Sequence, residues 1–321
     1  MSNLDRTPGI TRSGGLAEVA AAPVHEVYAG REVTLGATAV RRLLPNLGRR
    51  LVGPWCFIDH YGPQDVASSD GMQVPAHPHM GLQTVSWLLE GTVHHRDSLG
   101  SDQVIAPGEL GLMTSGAAIA HAEHSPVAHP ALLHGVQLWV ALPDAERHTT
   151  PSWEHHRDLP SLTDRGLRAT VIMGTLAGAS SPGRAFSPIV GADLALTAGA
   201  DALLPLEPGF EHAVLVMSGW AEVDGERLDP GAMLYLGSAR RDLRVHSQPG
   251  ARLLLLGGEP FGEQIVMWWN FVARTNDEIV AARTEWIAGN AFGTVAGFGD
   301  GGALPAPPLP PGRLRPGGSV R

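Results

Sequence analysis

The chain of 321 residues contains no lysine, so all 23 of its basic side chains are arginines. This absence excludes a Schiff-base lysine mechanism and a phosphate-binding loop that depends on lysine. Cysteine is almost absent as well. The single residue, Cys56, rules out a disulfide within the chain and predicts a reducing, cytoplasmic location. Because Cys56 stands between Trp55 and Phe57, we expect a buried apolar thiol rather than a nucleophile.

Long apolar runs and strong positive charge are also missing. No stretch of 18 apolar residues is present to span a membrane, and we expect no signal peptide, because the first residues lack a charged start followed by an apolar run. The formal net charge is −9. The arginine pairs at 41–42, 49–50 and 240–241 are too short to form a basic patch. The sequence therefore argues against direct binding to nucleic acid or to an anionic membrane.

Glycine and proline, in contrast, are abundant, with 40 and 26 residues. Such numbers fit many short strands joined by turns, and they predict an all-β fold. A content of 43% hydrophobic and 17% charged residues is typical of a globular protein. The length is sufficient for two domains, each with its own core.

Two short segments each carry a pair of potential metal ligands two residues apart. They are His77-Pro78-His79 and His121-Ala122-Glu123. Residues i and i+2 of a strand point to the same face, so each pair can direct both side chains into one cavity. Three imidazoles and one carboxylate suit a divalent first-row metal, and Fe(II) in particular if coordination positions stay open. A lone His-x-His motif is expected by chance in a chain with 15 histidines, which leaves surface or structurally hydrogen-bonded histidines as an equal alternative.

The surroundings of the two segments predict strands. Residues 81–91 form an apolar run that ends in a turn, and a Pro-Gly turn precedes the run 110–114 before the second pair. Asp59 and His60 end another predicted strand, just before Tyr61-Gly62-Pro63. They are either groups that hold a ligand imidazole in one tautomer or, with equal weight, a turn-capping aspartate and a surface histidine.

The second half of the chain repeats the plan of the first. Residues 209–219 and 229–236 again read as a strand, a Pro-Gly turn and a further strand. In this repeat His212 is the sole histidine near the position of the paired histidines, and no His-x-Glu pair follows. The sequence therefore predicts that the second domain binds no metal and that His212 is a structural, hydrogen-bonded residue.

These patterns divide the chain into five parts. We expect a flexible leader (1–22), a metal-binding domain (23–142), a linker with one strand (143–188), a second domain with a helix (189–300) and a proline-rich tail (301–321). A capping box at Thr275-Asn276-Asp277-Glu278 predicts the start of the helix, and Gly289 its end, with an apolar stripe of Ile279, Ala282, Trp286 and Ile287. The tail favours an extended conformation, either laid along the surface or disordered, rather than a ligand of SH3-like domains.

Longer sequence blocks surround both ligand pairs. They are His77-Pro78-His79-Met80-Gly81, Leu88-Leu89-Glu90-Gly91, Pro107-Gly108-Glu109-Leu110, Met113-Thr114-Ser115-Gly116 and His121-Ala122-Glu123, with 57–63 upstream and 134–140 downstream. These blocks closely resemble those of the pirin family of bicupins. The resemblance covers most of the chain and is most specific over residues 52–142.

The resemblance carries implications for fold and cofactor. It implies two tandem cupin domains, which are jelly-roll β-barrels, with a C-terminal helix. In that family the two histidines of the first block and the histidine and glutamate of the last bind iron, and the matching positions here are His77, His79, His121 and Glu123. Manganese, nickel and cobalt are alternatives to iron, because ligand geometry alone does not separate these ions.

The resemblance also implies an activity. Pirins resemble quercetin 2,3-dioxygenases, so the expected reactants are a flavonol such as quercetin, or a similar enolic molecule, and dioxygen. Glu123 would be either a metal ligand or a base acting on the substrate hydroxyl, and Gln137 or Arg96 would steer an anionic substrate. The alternative function is a non-catalytic, redox-responsive co-regulator that binds iron together with a transcription factor or a metabolic enzyme.

Overall fold

The computed structural model describes residues 3–13, 23–35, 38–297 and 302–314. Within these ranges the chain forms 26 strands and one α-helix, as the all-β prediction required. The strands up to residue 141 are β1 (Thr11–Ser13), β2 (Glu26–Ala29), β3 (Arg31–Leu35), β4 (Thr38–Leu44), β5 (Trp55–Asp65), β6 (Gln73–His79), β7 (Leu82–Glu90), β8 (Val93–Asp97), β9 (Asp102–Ile105), β10 (Leu110–Thr114), β11 (Ile119–His124) and β12 (Leu132–Ala141).

The remaining elements are β13 (Ser152–His156), β14 (Ser161–Asp164), β15 (Leu167–Leu176), β16 (Ala179–Ser180), β17 (Ile189–Leu196), β18 (Ala200–Pro205), β19 (Glu211–Gly219), β20 (Ala221–Val223), β21 (Glu226–Leu228), β22 (Ala232–Gly237), β23 (Asp242–Ser247), β24 (Ala251–Gly258), β25 (Ile265–Trp268), β26 (Phe271–Ala273) and the helix α1 (Asn276–Ala288). Among the described residues, no helix has the length and apolar character needed to cross a membrane.

The first domain pairs a large sheet with a small one. The large sheet has the order β13-β10-β7-β12-β5-β4-β3, and the small sheet has the order β6-β11-β8-β9. Across the large sheet, Ser86, Gln137, Asp59 and Arg42 lie opposite one another on successive strands, so they share one face. This face lies toward the small sheet, because the hydroxyl of Ser86 contacts Glu123 on β11. The interior of the first domain is therefore unusually polar.

The second domain repeats the arrangement without the polar interior. Its large sheet runs β14-β15-β17-β24-β19-β22-β2, with β16 attached to β15, and its small sheet runs β18-β23-β20-β21. The space between these sheets is filled by buried aliphatic side chains such as Val214, Val216, Leu253 and Leu255. The domain is thus stabilised by an apolar core of the kind that ordinary sandwiches have.

The two large sheets pack against each other through their remaining faces. Val85 and Leu138 of the first domain belong to the same buried cluster as Leu215 and Leu254 of the second. In strands of both domains, alternate residues face this shared cluster and the domain interior. Trp55 also links the domains, because its indole N–H lies 3.2 Å from the carbonyl oxygen of Val190.

The segments outside the two sandwiches are more ordered than the sequence predicted. β1 pairs with β25, so residues 3–13 of the predicted leader are structured, while residues 14–22 lie outside the described ranges. β2, which the sequence analysis assigned to the first domain (23–142), instead completes the large sheet of the second domain. The predicted linker 143–188 contains four strands rather than one, because β13 joins the first large sheet and β14 to β16 join the second. Local patterning did not reveal these distant partners.

The C-terminal helix matches its sequence signals. Thr275 is the N-cap, and its side chain and that of Glu278 form the predicted capping box. Gly289 ends the helix with a φ of 72°, a conformation that glycine adopts readily. Ile279 and Ala282 are buried, but Ile287 is 60% exposed, so its assignment to the apolar stripe was wrong.

The described part of the tail, residues 302–314, lies along the protein. The amide of Leu304 donates to the carbonyl oxygen of Ala76 on β6 at 2.8 Å, and the indole of Trp286 donates to the carbonyl oxygen of Leu304 at 2.9 Å. Leu314 is buried at the other end. The sequence left open whether the tail lies along the surface or is disordered. Residues 302–314 lie along the surface.

Candidate metal centre

Three imidazoles converge between the sheets of the first domain. β6 directs His77 and His79 to one side, and β11 places His121 directly opposite His77. One ring nitrogen of each lies within 4.8 Å of the others, and all three side chains are 0% exposed. The i, i+2 spacing thus places His77 and His79 on one face of β6, and the β6–β11 pairing brings His121 beside them.

Backbone carbonyl oxygens orient two of these rings. Nδ1 of His77 lies 2.7 Å from the carbonyl oxygen of Pro75, and Nδ1 of His79 lies 3.1 Å from that of Asn270, between β25 and β26. A carbonyl oxygen only accepts hydrogen bonds, so the proton is assigned to Nδ1 in both histidines. The lone pair of each ring is therefore on Nε2, as metal coordination through that nitrogen requires.

The third ring is oriented by a relay of side chains. Nδ1 of His121 lies 3.3 Å from Nδ1 of His95, and Nε2 of His95 lies 3.1 Å from Oδ2 of Asp97. The carboxylate accepts from His95, which leaves Nδ1 of His95 to accept from His121. The ring of His95 is also stacked on Trp153, with a centroid separation of 3.7 Å. The lone pair of His121 is consequently on Nε2, like those of His77 and His79.

The sequence analysis missed His95. Of the adjacent histidines on β8, His94 forms a partly exposed ion pair with Asp102, whereas His95 is buried against His121. The only local signal was the His95-x-Asp97 spacing, which places both side chains on one face of a strand. That signal could not show which strand lies beside β8.

Two observations indicate that this site suits a divalent metal. Nε2 of His121 is buried and has no hydrogen-bond partner among the residues that the structure describes. An unpaired buried polar atom is costly, and a metal ion would satisfy it. Burial also lowers the pKa of His77 to about 4 and the pKa of His79 and His121 well below the ordinary value, so all three rings are neutral and able to bind a metal at neutral pH.

Glu123 is buried on the same strand as His121. A shift in the β6–β11 pairing falls between these two residues, and Oε1 of Glu123 lies 3.3 Å from the hydroxyl of Ser86. Although burial acts to raise the pKa of Glu123, interactions that include His77 and His95 hold it below its ordinary value. The group of mutually close ligand atoms contains the three imidazoles but not this carboxylate. Glu123 as the fourth ligand therefore stays a prediction.

Of the other candidate residues, Gln137 is near the site. Its Oε1 lies 2.9 Å from the hydroxyl of Ser86, which also contacts Glu123. Asp59 is 0% exposed and forms a two-point ion pair with Arg42, and Nε2 of His60 lies 2.9 Å from Nε2 of His134. The alternative of a turn-capping aspartate and a surface histidine was thus wrong. A role of Asp59 or His60 in holding a ligand imidazole stays a prediction.

Aromatic side chains lie beside His79, one of the three converging histidines. The ring of Trp139 meets that of His79 edge to face at 5.2 Å, and Phe57 stacks on Trp139 at 4.0 Å. Both aromatic residues line a cavity of about 550 Å³, together with Arg42 and Trp269. This volume lies in the range of small-molecule pockets.

The second domain contains an unexpected feature at His212. The ring is buried, and neither nitrogen has a hydrogen-bond partner in the described part of the chain. The prediction of a hydrogen-bonded structural histidine was therefore wrong. The absence of metal from this domain stays a prediction.

Two cupin-type sandwiches in tandem, of which the first holds three converging imidazoles, define the bicupin class. The pirin family model matches residues 37–140, and the model of the pirin C-terminal cupin domain matches residues 191–293. The chain belongs to the pirin family.

Individual relatives agree with this assignment. A Pseudomonas aeruginosa protein named "Putative quercetin 2,3-dioxygenase" is 45% identical over 86% of this chain and 87% of its own length. A pirin-like protein of Caulobacter vibrioides is 37% identical over 82% of this chain and 93% of its own. The crystal structure of a quercetin 2,3-dioxygenase from Acinetobacter baumannii superposes with a TM-score of 0.86 at 40% identity, covering 90% of this chain and 96% of that one.

Proposed function

We propose that this protein is an iron-dependent dioxygenase that opens flavonols such as quercetin at the 2,3 bond. The observation that carries the proposal is the convergence of three buried, neutral imidazoles, of which His79 contacts Trp139 in the wall of an aromatic cavity. The similarity to a structure named quercetin 2,3-dioxygenase supports the reaction and the substrate class. Iron is proposed over manganese, nickel and cobalt, all of which are compatible with imidazole ligands.

Each residue of the metal centre has its own role in the proposed reaction. His77, His79 and His121 would hold the metal, which supplies Lewis acidity and redox chemistry when bound. Glu123 takes the proton of the enolic hydroxyl of the flavonol onto a carboxylate oxygen. The hydroxyl of Ser86 has one proton, and donating it to the carboxylate of Glu123 requires the amide of Gln137 to present its NH₂ group to Ser86. Burial of the site keeps bulk water from the reacting carbon atoms.

The aromatic cavity would receive the substrate. Trp139 and Phe57 stack on each other in the cavity wall and give it an aromatic character that suits planar rings. The guanidinium of Arg42 lies 4.5 Å from the ring centre of Phe57 and lines the same cavity, where its two-point ion pair with Asp59 balances its charge. The planar, uncharged rings of a flavonol suit such a lining.

Oxygen uptake tests the proposal. Protein loaded anaerobically with Fe(II) should consume dioxygen when quercetin is added, and metal-free protein should not. The variant His79→Ala, reconstituted in the same way, is the matched control for metal dependence. Full iron loading without oxygen uptake with any flavonol would overturn the enzymatic proposal, and a non-catalytic co-regulator with a protein partner would replace it.

A further inference from the structure

The second domain contains a cavity of its own. It has a volume of about 590 Å³ and lies at one end of the sandwich, between the β15–β16 hairpin, the chain that enters β17 and the loop that joins β18 to β19. Most of its lining is apolar, including Leu176, Ile189 and Leu206. A concave apolar site with a few polar groups is the usual form of a small-molecule pocket.

His212 is one of the polar groups in this lining. The ring is 0% exposed, and neither of its nitrogens has a hydrogen-bond partner within the described ranges. A glycine on the neighbouring strand accommodates the ring, since a Cβ atom at Gly257 would come within 2.7 Å of Cδ2 of His212. The fold thus makes room for an imidazole and leaves its two hydrogen-bonding atoms unused.

Ser187 is a second polar group of the same kind. It lines the same cavity, and its hydroxyl oxygen is buried without a partner among the residues described. Buried polar atoms in proteins are nearly always paired with protein, water or ligand. Two unpaired groups, one on β19 and one in the chain that enters β17, therefore line one cavity.

We propose that this cavity is a binding site for a small, neutral aromatic molecule that carries a hydroxyl group, held by His212 and Ser187. A hydroxyl both donates and accepts, as the two nitrogens of a neutral imidazole do. Burial, followed by the charge of Arg240, lowers the pKa of His212 to about 4, so the ring is neutral near pH 7. The carboxylate of Glu207 in the lining disfavours an anionic ligand.

Phe210 defines the aromatic part of the ligand. Its ring is half-buried in the lining and lies 6.2 Å from that of His212. Because His212 has no exposed surface, side chains of the lining must move for the hydroxyl to reach a ring nitrogen, and the half-buried ring of Phe210 is placed to pack against the ligand ring. The site is separate from the three-histidine centre and does not depend on the proposed dioxygenase activity.

Phenol is the probe for this site. We expect titration of the isotope-labelled full chain to shift the methyl signals of Ile189 saturably, with the same dissociation constant in the metal-free and the iron-loaded protein. Toluene, which has the same shape without the hydroxyl, should bind at least tenfold more weakly. His212→Phe keeps a ring but removes both nitrogens, and it should weaken phenol binding by tenfold or more.

Two controls make the outcome decisive. His246→Phe alters a histidine on β23 outside the cavity lining and should bind phenol as the wild type does. Thermal unfolding checks that His212→Phe is folded, and its melting temperature should equal or exceed that of the wild type, because two unpaired buried polar atoms are removed. The proposal is overturned if phenol leaves Ile189 unshifted, which would indicate a cavity that holds water only. It is equally overturned if toluene binds as well as phenol or if folded His212→Phe retains wild-type affinity, because His212 would then not recognise the hydroxyl.

Discussion

The relay from Asp97 through His95 to His121 makes a quantitative prediction for metal affinity. His95→Phe keeps a ring that can stack on Trp153 but removes the acceptor 3.3 Å from Nδ1 of His121. The proton of His121 is then free to move to Nε2, which is the nitrogen that must bind the metal. Loss of such an outer partner costs roughly 10- to 100-fold in metal affinity, or about 1.4 to 2.7 kcal/mol.

His94→Phe is the matched control. It changes the adjacent residue of the same strand, whose ring pairs with Asp102 near the surface. We expect a dissociation constant within about twofold of the wild type for this variant, as for surface changes in general. Competition with a chelator of known affinity measures both constants. Equal affinity of His95→Phe and wild type, or an equal loss in both variants, would refute the relay.

Asp97→Asn tests the direction of the relay. Oδ1 of Asp97 accepts from the amides of Leu99 and Ser101 at 2.9 and 3.0 Å. The amide oxygen of the asparagine should keep those bonds, so its NH₂ group would face His95. His95 must then accept at Nε2 and donate from Nδ1, which forces the proton of His121 onto Nε2. We expect weaker metal binding than in the wild type, together with a change of tautomer visible in the imidazole ¹⁵N shifts of the metal-free protein.

Further predictions concern the ligands and acid stability. His79→Ala should abolish or severely weaken metal binding, and His212→Ala should leave metal content unchanged; equal loss in both would place a ligand in the second domain. Glu123→Gln should lower quercetin oxidation by about 10² or more, as for a lost general base, while the protein retains substantial iron; full activity would remove both roles assigned to Glu123. The pKa of His212 is about 4 in the folded protein and near 6.5 when unfolded. Unfolding therefore takes up a proton between these values, and the free energy of unfolding should fall as pH is lowered from 6.5 to 4. The fall should be smaller in His212→Phe, as urea titrations of the metal-free protein at several pH values can measure.

The sequence was sufficient for the features that local spacing determines. Paired ligands two residues apart placed His77 and His79 on one face of a strand, and the capping box located the start of α1. The resemblance to the pirin family added His121 to the predicted set of metal ligands. These predictions depended on short stretches of chain, which adopt the same geometry wherever they occur.

The features that sequence analysis missed depend on distant pairing. The carbonyl oxygen of Asn270 orients His79 from 191 positions away, and the role of His95 follows from the β8–β11 pairing. β2 belongs to the sheet of the second domain although it precedes the first. His60 lies beside His134 because β5 and β12 are neighbours, which no local pattern indicates.

The contact between His79 and Asn270 has a consequence for the order of events during biosynthesis. β6 and β11 leave the ribosome early, but the carbonyl group that orients His79 is made after almost all of the second domain. The segment that pairs with β6 through Leu304 follows later still. A nascent chain that contains only the first domain therefore has its histidines without the full set of contacts that orient them. Maturation of the centre is expected to be a late, post-synthetic step, and the first domain expressed alone should bind metal more weakly than the full chain.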